Sequence, residues 1–389
     1  MKLNHGIHLA YCTNIHRGEN WVQTFDSLQN HAMKVRDQVS PSEPFAIGLR
    51  LSHVAAVELR DPAVLVPFQR WLEKNNSYVF TINGFPYGQF HGQRVKEQVY
   101  RPDWTAPGRL DYTNLLFDLL AELVPSGVEG SVSTLPGSFK EFIHDPAQEQ
   151  QIRDHIWKCV EHIAKLGERT GKVLHLGLEP EPLGYFETSA ETVSFFQKMR
   201  SEHPGDSRLQ RHLGVNYDTC HLAVEFEEPQ AALGALLKEG IKISKLHLSS
   251  AMKLQPTPEH LRSLAAFADE VYLHQVVERS RDGKRRIFKD LPQAIQASDE
   301  ATASGEWRVH FHVPLHCPRG DWFETTADHA LGVLDMLRKT PGLCRHLEME
   351  TYTWEVLPEN LRSRSVEEQL VAEYRWTLGE LMSRGLAAG

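Results

Sequence analysis

The chain of 389 residues predicts an α/β fold, a (β/α)8 barrel, on three observations. Short β-rich runs alternate with longer stretches of helical periodicity almost to the C-terminus, the rhythm of a mostly parallel sheet wrapped in helices. Nearly every run ends in a carboxylate, imidazole or amide, and the C-terminal strand ends form the active-site face of a barrel. The Pro/Gly clusters at 101–109, 203–207 and 255–258 are loop-length, with no compositional shift across them. One domain spanning 1–389 is therefore expected, since α/β barrels routinely exceed 250 residues.

In chain order the strand candidates are residues 6–11, 45–51, 78–83, 130–135, 173–179, 213–218, 243–248, 309–313 and 347–351. That is one more than a barrel holds, so 309–313 or one of its neighbours must lie outside it. Amphipathic stretches at 20–39, 111–124, 147–169 and 190–202 supply covering helices. Residues 271–279 and 286–288, joined through Asp282-Gly283, read as an inserted β-hairpin on a tight turn. Beyond Pro358 the chain turns polar and helical through Leu386, as helices packed on the barrel would.

Composition narrows the function. Lys and Arg number 42 against 51 Asp and Glu, a net charge of −9, and no basic run is sustained, so nucleic acid is an unlikely class of partner. The five cysteines are odd in number and never form a CxxC pair, which fits neither a disulfide framework nor a thiolate zinc site and points to a reducing compartment. His5 and Asn4 interrupt any signal-peptide core at the start, and no stretch reaches the length of a membrane span. A cytoplasmic protein, with homo-oligomerisation left open, is expected.

The chemistry sits at the strand ends. Leu174-His-Leu-Gly-Leu-Glu179 runs into Pro-Glu181-Pro, Gly214-Val-Asn-Tyr-Asp218 into Thr-Cys-His221, Ser244-Lys-Leu-His247 into Leu-Ser-Ser, and His346-Leu-Glu348-Met-Glu350 into Thr-Tyr-Thr-Trp. Glu179, Asp218, His221, His247, Glu348 and Glu350 are oxygen and imidazole donors for a divalent metal, Zn or Mn. Alternation puts Glu348 and Glu350 on one strand face, and Glu350, nearer the end, is the preferred ligand. Structural readings compete: an ion pair for Glu179, a helix cap for Asp218, a core histidine at His247. His310 and His312 share a strand face as further ligand or substrate-binding candidates. The loop Asn83-Gly-Phe-Pro-Tyr87-Gly-Gln-Phe-His91 suits a small polyhydroxylated or cyclic metabolite, with Asn83, Tyr87 and His91 for hydroxyls, or else is a rigid rim loop. Arg319, ahead of a helix opening at Thr325-Thr326, is a candidate for an anionic substrate group.

These elements resemble the xylose isomerase-like TIM barrels, the superfamily of sugar isomerases and epimerases that also contains endonuclease IV. The resemblance covers nearly the whole chain and rests on Glu179 in Leu-Glu-Pro, Asp218-x-x-His221, His247 in Lys-Leu-His-Leu, and Glu348-Met-Glu350. The strings from His8 to His16, Asn83-Gly-Phe-Pro-Tyr-Gly, His310-Phe-His-Val-Pro and Glu350 to Pro358 are similar to the bacterial metabolite traffic proteins of the EboE type. The superfamily implies a metal held by Glu179, Asp218, His247 and Glu350 or Glu348. It also implies isomerisation or epimerisation by proton transfer beside a polarised carbonyl, with Glu179 or Glu350 as the base. The traffic resemblance implies a secondary-metabolite role, and with it the alternative of a barrel that binds its metabolite without turning it over. Endonuclease chemistry is disfavoured: the third and fourth strand ends carry Asn83 and Thr134 where that family has zinc-binding histidines.

Overall fold

A computed structural model describes residues 1–88, 96–268, 271–298, 305–317, 320, 322–352 and 365–388. The strands are β1 (His8–Cys12), β2 (Phe45–Arg50), β3 (Ser77–Asn83), β4 (Gly130–Thr134), β5 (Leu174–Leu178), β6 (Leu213–Asp218), β7 (Lys242–Leu248), β8 (Met252–Leu254), β9 (Val276–Arg279), β10 (Arg285–Phe288), β11 (Glu306–Val309), β12 (Glu324–Thr325) and β13 (His346–Met349). Parallel β1, β13, β7, β6, β5, β4, β3 and β2 close, in that order, into the eight-stranded barrel that the sequence predicts.

The candidate at 309–313 is the one left outside. The strand there is β11, which ends at Val309 and pairs antiparallel with β8 and β9. It belongs to a five-stranded sheet, in the order β10-β9-β11-β8-β12, inserted between the barrel strands β7 and β13. The expected hairpin is present as β9 and β10, but it is one part of this larger sheet. The sheet has an apolar core of its own around Trp307, Phe267, Phe311, Val276 and Val309, which is why it holds together beyond a two-stranded ribbon.

The helices start and stop where their end residues direct. Helix Pro146–Thr170 has Pro at its first turn, a reciprocal capping box between Asp145 and Gln148, and a left-handed Gly171 at its end. Helices Ser189–Glu202 and Val366–Ser383 carry the same box through Thr188/Glu191 and Ser365/Glu368. The stretch at 20–39 is helical from Trp21 to Val39, with a π-turn over Leu28–Ala32.

Outward residues such as Leu9, Ile47, Leu176, Val215, Leu246 and Leu347 are buried in the core shared with the helices. The interior is polar. At its floor His8 bonds Tyr78, His175 bonds Ser244 (2.6 Å) and His346 bonds Ser131 (2.8 Å). Branched apolar side chains usually fill this space. Among the described residues no helix is long and apolar enough to cross a membrane.

Candidate metal centre

Register assembles the site. Asp218 on β6 and Glu348 on β13 are both paired with His247 on β7, so three polar side chains share one row of the barrel. Glu179 follows β5 directly and Glu350 follows β13 directly, one step nearer the mouth. All five side chains are buried.

His247 is the hub. Its Nδ1 lies 3.1 Å from Glu179 Oε1, 3.1 Å from Glu350 Oε2 and 3.6 Å from Asp218 Oδ2. Its Nε2 lies 2.9 Å from Glu348 Oε2. One ligand atom from each of Glu179, Asp218, His247 and Glu350 falls within 4.8 Å of the other three.

Asp218 serves in two ways. Its Oδ1 accepts from the backbone N–H groups of Cys220 (2.7 Å) and His221 (3.0 Å), capping helix Thr219–Val224, and from Ser249 Oγ (2.6 Å). The helix-cap reading is thus real, yet it uses only one oxygen. Oδ2 is buried without a hydrogen-bond partner and faces the hub. It faces His247 Nδ1 at 3.6 Å, an ion pair too long for a hydrogen bond, and a bound cation would complete it. Together with three further O and N donors, it fits a divalent ion of the Zn, Mn or Mg type.

Glu348 stands deeper. Its Oε2 also accepts from Lys245 Nζ (2.6 Å), and that ammonium bonds Asn83 Oδ1 and Ser133 Oγ, each at 3.0 Å. Both side chains of the Lys245–Glu348 pair are fully buried. Gly48 makes the space: a Cβ there would sit 1.8 Å from Glu348 Oε1. A carboxylate behind a ligating imidazole fixes the ring's tautomer and orientation, which is the place Glu348 occupies.

The charges agree with the geometry. Burial opposes charge on His247, but Glu350 and Glu179 outweigh it and hold the imidazolium well above its usual range. Burial likewise opposes ionisation of Glu179 and Asp218, and the facing histidines overcome it, leaving both below the carboxylate range. At Glu348 burial is again outweighed, mainly by Lys245, and the pKa falls to about 2. Without a cation the imidazolium of His247 supplies the positive charge that these carboxylates face, and a metal bound at Nδ1 would take the place of its proton.

His221, His310 and His312 form the adjoining wall. His221 Nδ1 faces the Pro180 carbonyl at 3.2 Å and Glu179 Oε1 at 3.7 Å. His310 and His312 follow β11 in irregular backbone, not on a strand face as expected, and their Nε2 atoms still meet at 3.3 Å. Gln275 Oε1 and the Glu350 carbonyl hold their Nδ1 atoms, at 2.8 and 2.9 Å. Asp218, His221 and His312 also offer ligand atoms within 4.8 Å of one another.

A cavity of about 90 Å³ opens over this centre, lined by Glu179, Glu350, His221, His310, Asn14 and Asn83 together with Phe85, Tyr100, Tyr272 and Tyr352. Tyr87 does not line it; its ring stacks on His53 at 4.8 Å and meets Tyr112 edge-on. His91 and Arg319 lie outside the described residues. Three participants escape sequence reasoning, and Glu181, quoted there only as a strand-end carboxylate, joins them. Asn14 donates to Glu350 Oε1 at 2.5 Å, Lys245 braces Glu348, Ser249 holds Asp218, and Glu181, buried beside Tyr100, has its pKa raised by burial to about 8. Of these, Lys245 carried a signal: a lysine inside an otherwise buried strand must find a counter-charge. The expected zinc-ligand vacancies at the third and fourth strand ends are hydrogen-bonded otherwise, Asn83 to Lys245 and Thr134 to Trp104 Nε1.

No family model matches the chain, and no curated protein matches it. Solved structures do. One is an L-ribulose 3-epimerase, at 15% identity and TM-score 0.52, covering 97% of this chain and 95% of that one. A xylose isomerase-like TIM barrel protein from Mycobacterium smegmatis, in complex with magnesium, is similar at 13% identity and TM-score 0.54 over 99% of each chain. A xylose isomerase domain protein from Alicyclobacillus acidocaldarius subsp. acidocaldarius is similar at 12% identity and TM-score 0.50, covering 97% of this chain and 99% of that one. At these identities the likeness is one of architecture: the chain has the fold of the xylose isomerase-like TIM barrels.

Proposed function

We propose that the protein is a metal-dependent isomerase or epimerase acting on a small polyhydroxylated or cyclitol-like metabolite. The observation that carries this reading is the convergence of one donor atom from each of Glu179, Asp218, His247 and Glu350, with Asp218 Oδ2 making no hydrogen bond, at the base of the cavity. These four residues would hold one divalent cation, Zn or Mn, with Glu348 behind His247. A bound cation supplies Lewis-acid stabilisation of negative charge on a substrate oxygen. Asn14 and Asn83 orient hydroxyls, and the aromatic rings over the cavity keep water from the reacting carbon. One of Glu179 and Glu350 removes the proton next to the carbonyl; its return to the neighbouring carbon gives the isomer, and protonation of the original carbon on the opposite face by the other carboxyl gives the epimer.

The second reading, a barrel that binds and hands on its metabolite, draws on the traffic-protein resemblance and uses the same cavity. One experiment separates them. The protein purified without chelators should contain about one Zn or Mn per chain by elemental analysis, and His247→Ala should lose it while remaining folded. Glu179→Gln should lower turnover of a ketose panel at least a hundredfold. A folded parent that cannot be loaded with metal sinks the isomerase; a loaded parent that binds but never converts a ketose favours the carrier.

A further inference from the structure

Asn14 braces Glu350 from behind. It lies in the single helical turn Thr13–Ile15 that follows β1, and β1 pairs with β13, so the residues just past these two strands stand side by side. Its Nδ2 donates to Glu350 Oε1 at 2.5 Å, and both side chains are buried. The direction of that bond is set from the barrel interior. Lys245 Nζ and Ser133 Oγ donate to Asn83 Oδ1, which turns Asn83 Nδ2 toward Asn14 Oδ1 at 3.2 Å. With its oxygen taken as an acceptor, Asn14 presents its N–H end to Glu350. The chain of donors thus runs from β7 through β3 and β1 to the carboxylate past β13.

The brace decides how many oxygens Glu350 brings to the centre. With Oε1 spent on Asn14, Oε2 is the oxygen that faces His247 Nδ1. Asp218 is limited in the same way: Oδ1 is spent on Cys220 N, His221 N and Ser249 Oγ, and Oδ2 faces the centre. A carboxylate free to turn chelates a divalent cation through both oxygens and fills a position that an incoming oxygen needs. One held by a donor gives a single oxygen in a fixed direction. We propose that Asn14 is a positioning residue that confines Glu350 to one oxygen at the centre, so that a bound cation keeps a coordination position open to an oxygen from outside the chain. This rests on the metal-dependent reading of the same four residues and adds to it the device that keeps their site open.

The test uses the full-length protein titrated with Co(II), a divalent ion that N and O donors accept and whose visible absorption weakens as its coordination number rises. Two variants remove the donor: Asn14→Leu keeps the branching of the side chain, and Asn14→Ala empties its place. Both, checked by their melting curves without metal, should bind Co(II) about tenfold or more weakly than the parent, because the carboxylate is no longer held for it. Both should also give weaker visible bands at saturation, as Glu350 brings in its second oxygen. Bands unchanged from the parent in a folded, Co-loaded variant overturn the proposal, whatever the affinity. So does a change seen in Asn14→Ala and absent from a folded Asn14→Leu, which traces it to the emptied space, and so does loss of all Co(II) uptake, since a freed Glu350 still reaches the ion. If one variant fails to fold, the bands of the other decide. A parent that takes up no Co(II) is a different failure: it removes the metal-dependent reading itself, and the role of Asn14 falls with it.

Discussion

Glu348 on β13 and Glu350 just past its end stand two residues apart and have different surroundings. Glu350 reaches His247 Nδ1 at the mouth, whereas Glu348 lies beneath the ring and shares its charge with Lys245. Alternation along the strand places both inward and is silent about depth. Depth came from the pairing of Glu348 with His247 across β13 and β7. The buried Lys245–Glu348 pair yields a sharp expectation, because removing one partner strands the other's charge. Lys245→Met should destabilise the protein by about 3–5 kcal/mol in denaturant unfolding, and adding Glu348→Gln should restore part of that loss. An unchanged midpoint in Lys245→Met would show that the pair holds no charge.

Single elements bring distant segments to the site. Helix Val366–Ser383 buries Glu373 completely, and its Oε1 accepts from Leu315 N (2.8 Å) and Thr351 Oγ1 (2.7 Å), tying the helix to the chain next to Glu350. Burial raises the Glu373 pKa from 4.5 to about 7. The folded state thus favours the protonated acid. Its stabilisation is complete below the unfolded value and is lost as pH rises through about 7. Melting curves from pH 5 to 8 should fall for the parent and flatten for Glu373→Gln, which should be more stable at pH 8 by about 1–3 kcal/mol. Parallel curves for the two proteins would remove Glu373 as the source. The helix itself was legible from its polar periodicity; its buried carboxyl was not, since one Glu among many on an amphipathic helix carries no mark of burial. The inserted sheet was half legible. Its hairpin has a turn signal, but β8, β11 and β12 pair across long separations that no local pattern encodes.

For the whole molecule, binding of a cation to the folded state alone makes stability depend on metal concentration. At a hundredfold excess over the dissociation constant, the gain is about 2.7 kcal/mol, a rise of several degrees in melting temperature. Mn or Zn should raise the Tm of the chelator-treated parent, EDTA should reverse the rise, and His247→Ala should respond to neither. An equal rise in that variant would place the ion elsewhere. On the same scale, the sequence by itself determined the barrel. Its alternating runs set strand and helix order, its caps set helix ends, and its polar strand ends marked the face that carries the candidate site, because these signals are local and repeat with the periods of the backbone. Only the tertiary structure decided that 309–313 leaves the barrel, that Asp218 both caps a helix and turns an oxygen to the centre, and that Glu348 lies behind His247. Each of these depends on which strands become neighbours and in what register, and register is fixed by packing the whole core at once.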